Sequence, residues 1–382
     1  MTDTPTSTPP TRGHAPLATQ VGGHAGVTTT EDGALIIKPA LPVEIAFYQS
    51  VVSEAGFAPL RPFIPKFYGT LKVAGQLDTK GSTPGEIDLT HLRPTKDDRR
   101  DKDESRFIWN CVSAASSIVL ENLTQSFRKP NILDIKLGTI LYDEDATPEK
   151  KARMSKTARE TTSFETGVRI TGFQVHDLAA GVAVNTAREY GKLLKKEDLP
   201  SAIARFFPAS TLSSQPVPSS STPPKPEELT TDSDVPAVTK SVPADGTGLP
   251  SNLLLPILRG ILHNVEEIRD AVAEVEMRMV GGSLLVIYEA DWERAAEGIR
   301  REEEGEDLDD EEDEEEEDEE EDGEKEKKVR RAYVVKLIDF AHTFILAGRG
   351  PDQSLLTGLD NAVVLLKGRI EEVEKTAGGP TP

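Results

Sequence analysis

The sequence predicts an α+β fold, in which a small sheet-rich N-terminal region precedes a larger region that mixes helix and strand. Three observations carry this expectation. A two-stranded hairpin pattern stands near the start, a long segment over residues 253–280 has helical spacing, and two strand patterns at 283–289 and 332–339 flank an acidic run. At 382 residues the chain is long enough for two domains or one two-lobed domain.

Residues 27–30 and 34–38 read as strands joined by a turn at Glu31, Asp32 and Gly33. Pro39 and Pro42 end the hairpin, and Ile45, Tyr48 and Val52 give residues 43–53 a helical face. Further strands are expected at 66–73 and 116–121, completing an N-terminal region over 19–122. The larger region, 123–375, opens with a strand at 131–135. A helix follows, with Thr147 as N-cap and Pro148 in its first turn. Over 253–280, Ile261, Leu262, Val265, Ile268, Val272, Val275 and Met279 recur at three- and four-residue steps, the period of one helix face. The strands at 283–289 and 332–339 pair most simply as an antiparallel hairpin, which sets Ser283 beside Asp339 and the acidic run at the far end.

Three stretches lack a periodic apolar face and are expected to be disordered: residues 1–18, a Ser/Pro-rich insert at 210–250, and the acidic insert at 302–328, with a short tail at 376–382. Formal charge is −22, from 44 Lys+Arg against 66 Asp+Glu. That balance argues against an anion site until it is read by position. Between Glu302 and Glu326 lie 21 acids and one base, Lys325, so the rest of the chain holds 45 acids and 43 bases. The single cysteine, Cys111, excludes an internal disulfide and reads as a small buried hydrophobe. The N-terminus lacks the apolar core of a signal peptide, and no apolar run approaches the roughly 18 residues of a membrane span. A soluble intracellular protein is expected.

Phosphotransfer chemistry is suggested by a few polar positions at strand ends. Asp134 and Lys136 lie two apart, hence on one side of a strand, where a carboxylate can hold a hydroxyl while an ammonium neutralises phosphate; Gly138 lets backbone approach. Asp339 directly follows an apolar strand, a position suited to a Mg²⁺ ligand, with His342 close behind as an anion contact. Lys38 ends the second strand of the hairpin and is a candidate for nucleotide phosphates, paired with Glu44 on the next helix. The helix 148–160 has a net local charge from Lys150, Lys151, Arg153, Lys156 and Arg159 against Glu149 and Glu160; Arg153 and Lys156 share a face that would suit a multiply phosphorylated ligand. Each feature also has an ordinary structural reading: a solvent-facing Asp/Lys pair, a turn carboxylate, an edge-strand lysine, a solvated basic face. There is no P-loop, no protein-kinase H-R-D-x-x-x-x-N, no Cys/His metal cluster, no G-x-S-x-G and no nucleic-acid motif.

Taken together the motifs resemble the inositol polyphosphate kinase family. Pro130, Asp134, Lys136 and Gly138 match P-x-x-x-D-x-K-x-G, while Ser283-Leu284-Leu285 and Ile338-Asp339-Phe340 match S-L-L and I-D-F. The likeness extends to Gly22-Gly23-His24, Leu120-Glu121-Asn122-Leu123, Thr161-Thr162-Ser163, Gly167-Val168-Arg169, Gly350-Pro351-Asp352 and Gly358-Leu359-Asp360-Asn361. The resemblance implies a two-lobed, protein-kinase-like fold with ATP and Mg²⁺ between the lobes. By it, Lys38 holds ATP phosphates, Glu121 and Leu123 present hinge backbone to adenine, and Asp134 binds ribose or the acceptor hydroxyl. Lys136 contacts the transferred or substrate phosphate, Asp339 binds the metal, and Arg153, Lys156 and His342 contact the inositol phosphate. Ala40 stands where relatives carry a basic residue. The compact N-lobe and the acidic insert look like those of the fungal multikinases, which phosphorylate inositol trisphosphate and tetrakisphosphate; inositol hexakisphosphate kinases are the alternative. A role in the nucleus and cytoplasm is expected, with basic nuclear proteins as partners of the acidic insert if that segment acts as an interaction surface.

Overall fold

The computed structural model describes residues 15–16, 26–71, 116–186, 188–210, 248–305 and 331–377. The expected disorder of the tails and of the two inserts, the motif at Gly22-Gly23-His24, and Cys111 lie wholly or mostly outside the described residues.

The N-terminal sheet comprises β1 (Ala15–Pro16), β2 (Thr28–Thr29), β3 (Leu35–Pro39), β4 (Phe67–Leu71) and β5 (Ser117–Glu121), ordered β1-β2-β3-β5-β4 with antiparallel pairing throughout. The expected hairpin is β2–β3, with Thr28 opposite Ile37. Gly33 takes φ 72 in its turn, a conformation that costs glycine least. Helix α1 (Pro42–Ser53) starts on its proline, and short 3₁₀ turns follow at Ala55–Phe57 and Arg61–Phe63. The expected face of α1 holds at Tyr48, which is buried, and at Ile45, which packs partly buried on the core, but it is completed by Glu44, Phe47 and Val51 and not by Val52, which is 61% exposed. The reason lies across the molecule, because Phe340 stacks on Phe47 at 4.3 Å and meets Tyr48 edge-on at 5.5 Å. α1 therefore packs between its own sheet and the C-terminal region, which shifts its buried stripe onto Phe47 and Val51.

After β5 the chain crosses into β6 (Pro130–Leu137), the central strand of a second antiparallel sheet. Helices α2 (Pro148–Glu160) and α3 (Ser163–Thr166) lead to β7 (Val168–Asp177) and β8 (Val182–Asn185). Thr147 caps α2 as expected, its side chain accepting from the Lys150 N–H. Helix α4 (Arg188–Leu193), a 3₁₀ turn at Lys196–Asp198 and α5 (Leu199–Phe206) come next. β9 (Ala209–Ser210) then pairs in parallel with β10 (Leu249–Pro250), so both ends of the Ser/Pro-rich insert meet at one point. The remaining elements are α6 (Ser251–Glu274), β11 (Met277–Met279), β12 (Ser283–Glu289), α7 (Trp292–Glu303), β13 (Tyr333–Ile338), β14 (Thr343–Ile345) and α8 (Gln353–Ala377).

The sheet order β13-β12-β6-β7-β8 includes the expected antiparallel pair, with Ser283 opposite Ile338 and Tyr288 opposite Tyr333. Two expectations are corrected. The helix predicted over 253–280 ends at Glu274, and Met277–Met279 is a strand paired with Thr343–Ile345. Val275 and Met279 satisfy a four-residue helical step and a two-residue strand step equally, and Glu276 decides by accepting from the Gly348 and Gly350 N–H groups of the facing turn. The connection between β12 and β13 is not a plain loop, because α7 opens it, capped by the Asp291 side chain.

Alternation in the central strands divides the C-terminal sheet into two faces. Leu133, Ile135, Leu137, Leu284, Val286, Val335 and Leu337 belong to the main core with Leu254, Ile261, Val265 and Ile268 of α6 and Leu355, Leu359 and Leu366 of α8. Ile132, Ile287 and Val334 face the other way, forming a small apolar cluster with Phe127 against which Leu123 and Leu285 pack. One close approach locks α8 onto the end of β6 and β7. A Cβ on Gly167, at φ +63, would lie 2.7 Å from the Gly358 nitrogen, so both positions need glycine.

Candidate active site

The second face carries the polar residues, because the same two-residue step that buries Leu133 and Ile135 turns Asp134 and Lys136 the opposite way. Lys136 lies opposite Ser283 on β12. Its ammonium donates to Ser283 Oγ at 2.8 Å, to the Gly281 carbonyl at 2.9 Å and to Asp339 Oδ2 at 2.8 Å. Lys38 comes from the N-terminal sheet and donates to Asp339 Oδ1 at 2.9 Å and Glu44 Oε1 at 2.8 Å. Asp339 thus bridges two ammonium groups supplied by the two halves of the molecule.

Asp339 has φ 67, and it is the one non-glycine residue at positive φ among the described residues. Such a conformation costs about 1–3 kcal/mol and persists where surrounding contacts over-determine it. Here the apolar β13 and the buried Phe340 fix the flanking chain while both carboxylate oxygens are held. Burial alone would raise the Asp339 carboxyl, but Lys38 and Lys136 hold it well below the usual carboxylate range. Burial likewise opposes charge on Lys38, and Asp339 and Glu44 overcome it, leaving the ammonium raised. Glu44 is fully buried and sits above its ordinary value, pushed up by desolvation and partly restrained by Lys38.

Asp134 is 2% exposed, and its Oδ1 has no hydrogen-bond partner among the described residues. Such a group is costly to bury unless a ligand completes it. Across the sheet, Arg169 lies opposite Lys136, with its Nε buried and without a hydrogen-bond partner among the described residues; burial lowers the guanidinium and Asp134 counters it. Arg169 was legible only as part of a motif, since nothing in its spacing distinguishes it from an ordinary strand residue.

Glu121 and Leu123 sit where the chain passes from one sheet to the other. Glu121 accepts from the Lys66 N–H at 2.8 Å through its side chain, and Leu123 packs on the small apolar cluster. The crossing segment is held by Glu289, which accepts from the Arg128 and Lys129 N–H groups at 2.7 and 2.9 Å. Ala40 is buried in the core, which accounts for its small side chain.

Arg153 and Lys156 lie on exposed turns of α2, and Lys156 pairs with Glu160 at 3.7 Å. The α2 residue tied toward the centre is Lys150, 3.5 Å from Asp143, whose Oδ2 also meets His342 Nδ1 at 3.0 Å. Spacing alone hid Asp143, which reads as one of several acids in a polar loop. It also lines a cavity of about 340 Å³ walled by Ile140, Met279, Phe344 and Leu346. Among the described residues no three His, Cys, Asp or Glu side chains group as a metal site. No helix of the described chain is long and apolar enough to cross a membrane.

Two lobes joined by a crossing segment, with paired lysines and a carboxylate between them, suit an enzyme that moves a phosphoryl group. The model of the inositol polyphosphate kinase family matches residues 117–221 and 251–367, more than half of the chain, and the chain belongs to this family of phosphotransferases. It is 28% identical over 379 residues to the inositol polyphosphate multikinase of Saccharomyces cerevisiae, covering 90% of this chain and 95% of that protein. The multikinase of Schizosaccharomyces pombe is 28% identical over 51% of this chain and 63% of that protein. Inositol hexakisphosphate kinase 3 of Mus musculus is 26% identical over 65% of this chain but only 50% of its own length. Among solved structures, the S. cerevisiae inositol phosphate multikinase in complex with ADP and Mn²⁺ shares the fold, with a TM-score of 0.53 and 24% identity over 88% of this chain and 98% of that one.

Proposed function

We propose that the chain is an ATP-dependent inositol polyphosphate multikinase that transfers the γ-phosphate to hydroxyls of inositol trisphosphate and tetrakisphosphate with Mg²⁺. The observation that carries this reading is Asp339 held between Lys38 and Lys136. The end-to-end similarity to a yeast multikinase favours it over the hexakisphosphate kinases, which align over about half their length.

In this reading Lys38, fixed by Glu44, neutralises the nucleotide phosphates, and Lys136 neutralises the phosphoryl group in flight or a substrate phosphate. Asp134, with its unpartnered Oδ1, accepts a hydroxyl proton from ribose or from the acceptor, and Glu121 and Leu123 offer hinge backbone to adenine. Arg169, Arg153 and Lys156 supply cationic contacts to the inositol phosphate, and His342 offers it a ring nitrogen. The donor set fits a hard divalent cation: an ionised Asp339 with the Ser283 hydroxyl nearby, leaving phosphate oxygens and water to complete its shell. The bound ion would offset charge on the phosphate oxygens. Nuclear and cytoplasmic residence, with basic nuclear proteins meeting the acidic run, is part of the same proposal and rests on charge.

The test is phosphorylation of inositol trisphosphate by purified protein with Mg-ATP, followed by product analysis. Asp339→Asn and Lys136→Ala are each expected to lower kcat by about 10³-fold or more. Full turnover in both variants refutes the assignment, and an enzyme inert toward inositol trisphosphate that forms pyrophosphates when offered inositol hexakisphosphate moves the chain to the other branch.

A further inference from the structure

Three elements meet at Asp143. It lies in the segment between β6 and α2, Lys150 comes from the first turn of α2, and His342 stands three residues beyond Asp339. We propose that Asp143 is a positioning residue that aims His342 and Lys150 at the same phosphate of the acceptor; this rests on the kinase reading above.

The carboxylate is 9% exposed, so its contacts are specific rather than solvent-averaged. It takes Nδ1 of His342 at 3.0 Å and the Lys150 ammonium at 3.5 Å on the same oxygen, Oδ2. Its other oxygen, Oδ1, is buried with no partner among the described residues. The turn is closed by backbone, through Ala146 N–H to the Asp143 carbonyl. Burial alone would raise the carboxyl, yet His342 and Lys150 hold it below the usual range. The neighbouring acids are occupied elsewhere or exposed: Glu144 pairs with Arg349, and Asp145 lies at the surface.

A carboxylate on one ring nitrogen fixes the imidazole plane and turns the opposite nitrogen outward. With its side chain 43% exposed, His342 keeps that second nitrogen available to a ligand. Lys150 has three donor hydrogens, and one directed to Asp143 leaves two for a phosphate. The same carboxylate thereby couples α2, a basic helix, to the loop that carries Asp339.

The proposal is tested by steady-state kinetics on the full chain with inositol trisphosphate and Mg-ATP. Asp143→Ala is expected to raise KM for inositol trisphosphate by about 10- to 100-fold, the scale of a lost hydrogen bond to a charged group, while KM for ATP stays near wild type. Asp143→Asn keeps an acceptor for Nδ1–H and is expected to raise it less, which guards against a variant that merely unfolds. Adding His342→Ala to Asp143→Ala should change KM far less than His342→Ala does in the wild type, because both remove one contact. An unchanged KM in Asp143→Ala, or effects of the two substitutions that multiply fully, overturns the proposal. So does an active enzyme in which His342→Ala leaves the inositol trisphosphate KM unchanged, whereas a wild-type chain without phosphotransfer overturns the kinase reading itself.

Discussion

Replacing Lys38 with methionine should destabilise the protein in a pH-dependent way. The substitution keeps an unbranched chain of similar length but removes the charge between Glu44 and Asp339. Asp339 retains Lys136, whereas Glu44 is fully buried and loses the cation opposing its desolvation. Removing one partner of a buried pair costs about 3–5 kcal/mol because the other charge is stranded. Glu44 can escape part of that cost by taking up a proton, and each unit by which its pKa rises is worth about 1.4 kcal/mol. The sign follows from linkage: an acid whose folded pKa lies above its unfolded value weakens the fold as pH rises above the ordinary carboxylate range, and the penalty disappears below it. Lys38→Met should therefore lose about 3 kcal/mol at pH 8 and only about 1 kcal/mol at pH 5, a Tm deficit of roughly 10 °C at the higher pH. Chemical or thermal unfolding at both pH values measures this. Adding Glu44→Gln should recover most of the difference at pH 8. Equal destabilisation at both pH values, or no recovery in the double variant, would refute the reasoning.

Acid stability should depend on His176, which is pushed down to about 4 by burial and by Lys129. A base whose pKa is depressed on folding contributes stability that is present above pH 6.5 and lost as pH falls toward 4, about 1–2 kcal/mol after partial solvent exposure is allowed for. His176→Gln should flatten the unfolding free energy across that window, and an unchanged slope would show that other groups set it. Deleting residues 306–328 should leave inositol phosphate turnover within about twofold, since their described neighbours flank the Tyr288–Tyr333 end of the sheet, opposite Asp339. Pull-down with a basic nuclear protein such as a histone should lose signal on that deletion; retained binding would remove the acidic run from the partner surface.

Local pattern disclosed the components of the site better than their assembly. Asp134 and Lys136 could be placed on one face because a strand repeats every two residues, and the Ser283–Ile338 pairing followed from two adjacent strand patterns. The contact between Lys38 and Asp339 spans 301 residues, and no local period encodes it. The burial of Phe47 escaped local pattern for the same reason: its stacking partner, Phe340, lies in a distant segment. Helix α7 was obscured because its apolar positions, Trp292, Ala295 and Ile299, are few among charges that read as the approach to the acidic run. Asp143 was hidden by company, being one acid among four in residues 143–149.

The connection leaving β12 at Glu289 and returning to β13 at Tyr333 joins two strands in fixed register, yet it carries a helix and the acidic run. Loop-closure entropy grows only logarithmically, so doubling such an excursion costs about 0.6 kcal/mol. The strands on either side are held by six paired positions, with β12 also laddered to β6, so the register does not depend on the length of what is looped out. Sequence can be added, shortened or recomposed at this end with little effect on the geometry of Ser283 and Asp339 at the other, leaving the fold free to acquire new attachments without re-solving its chemistry.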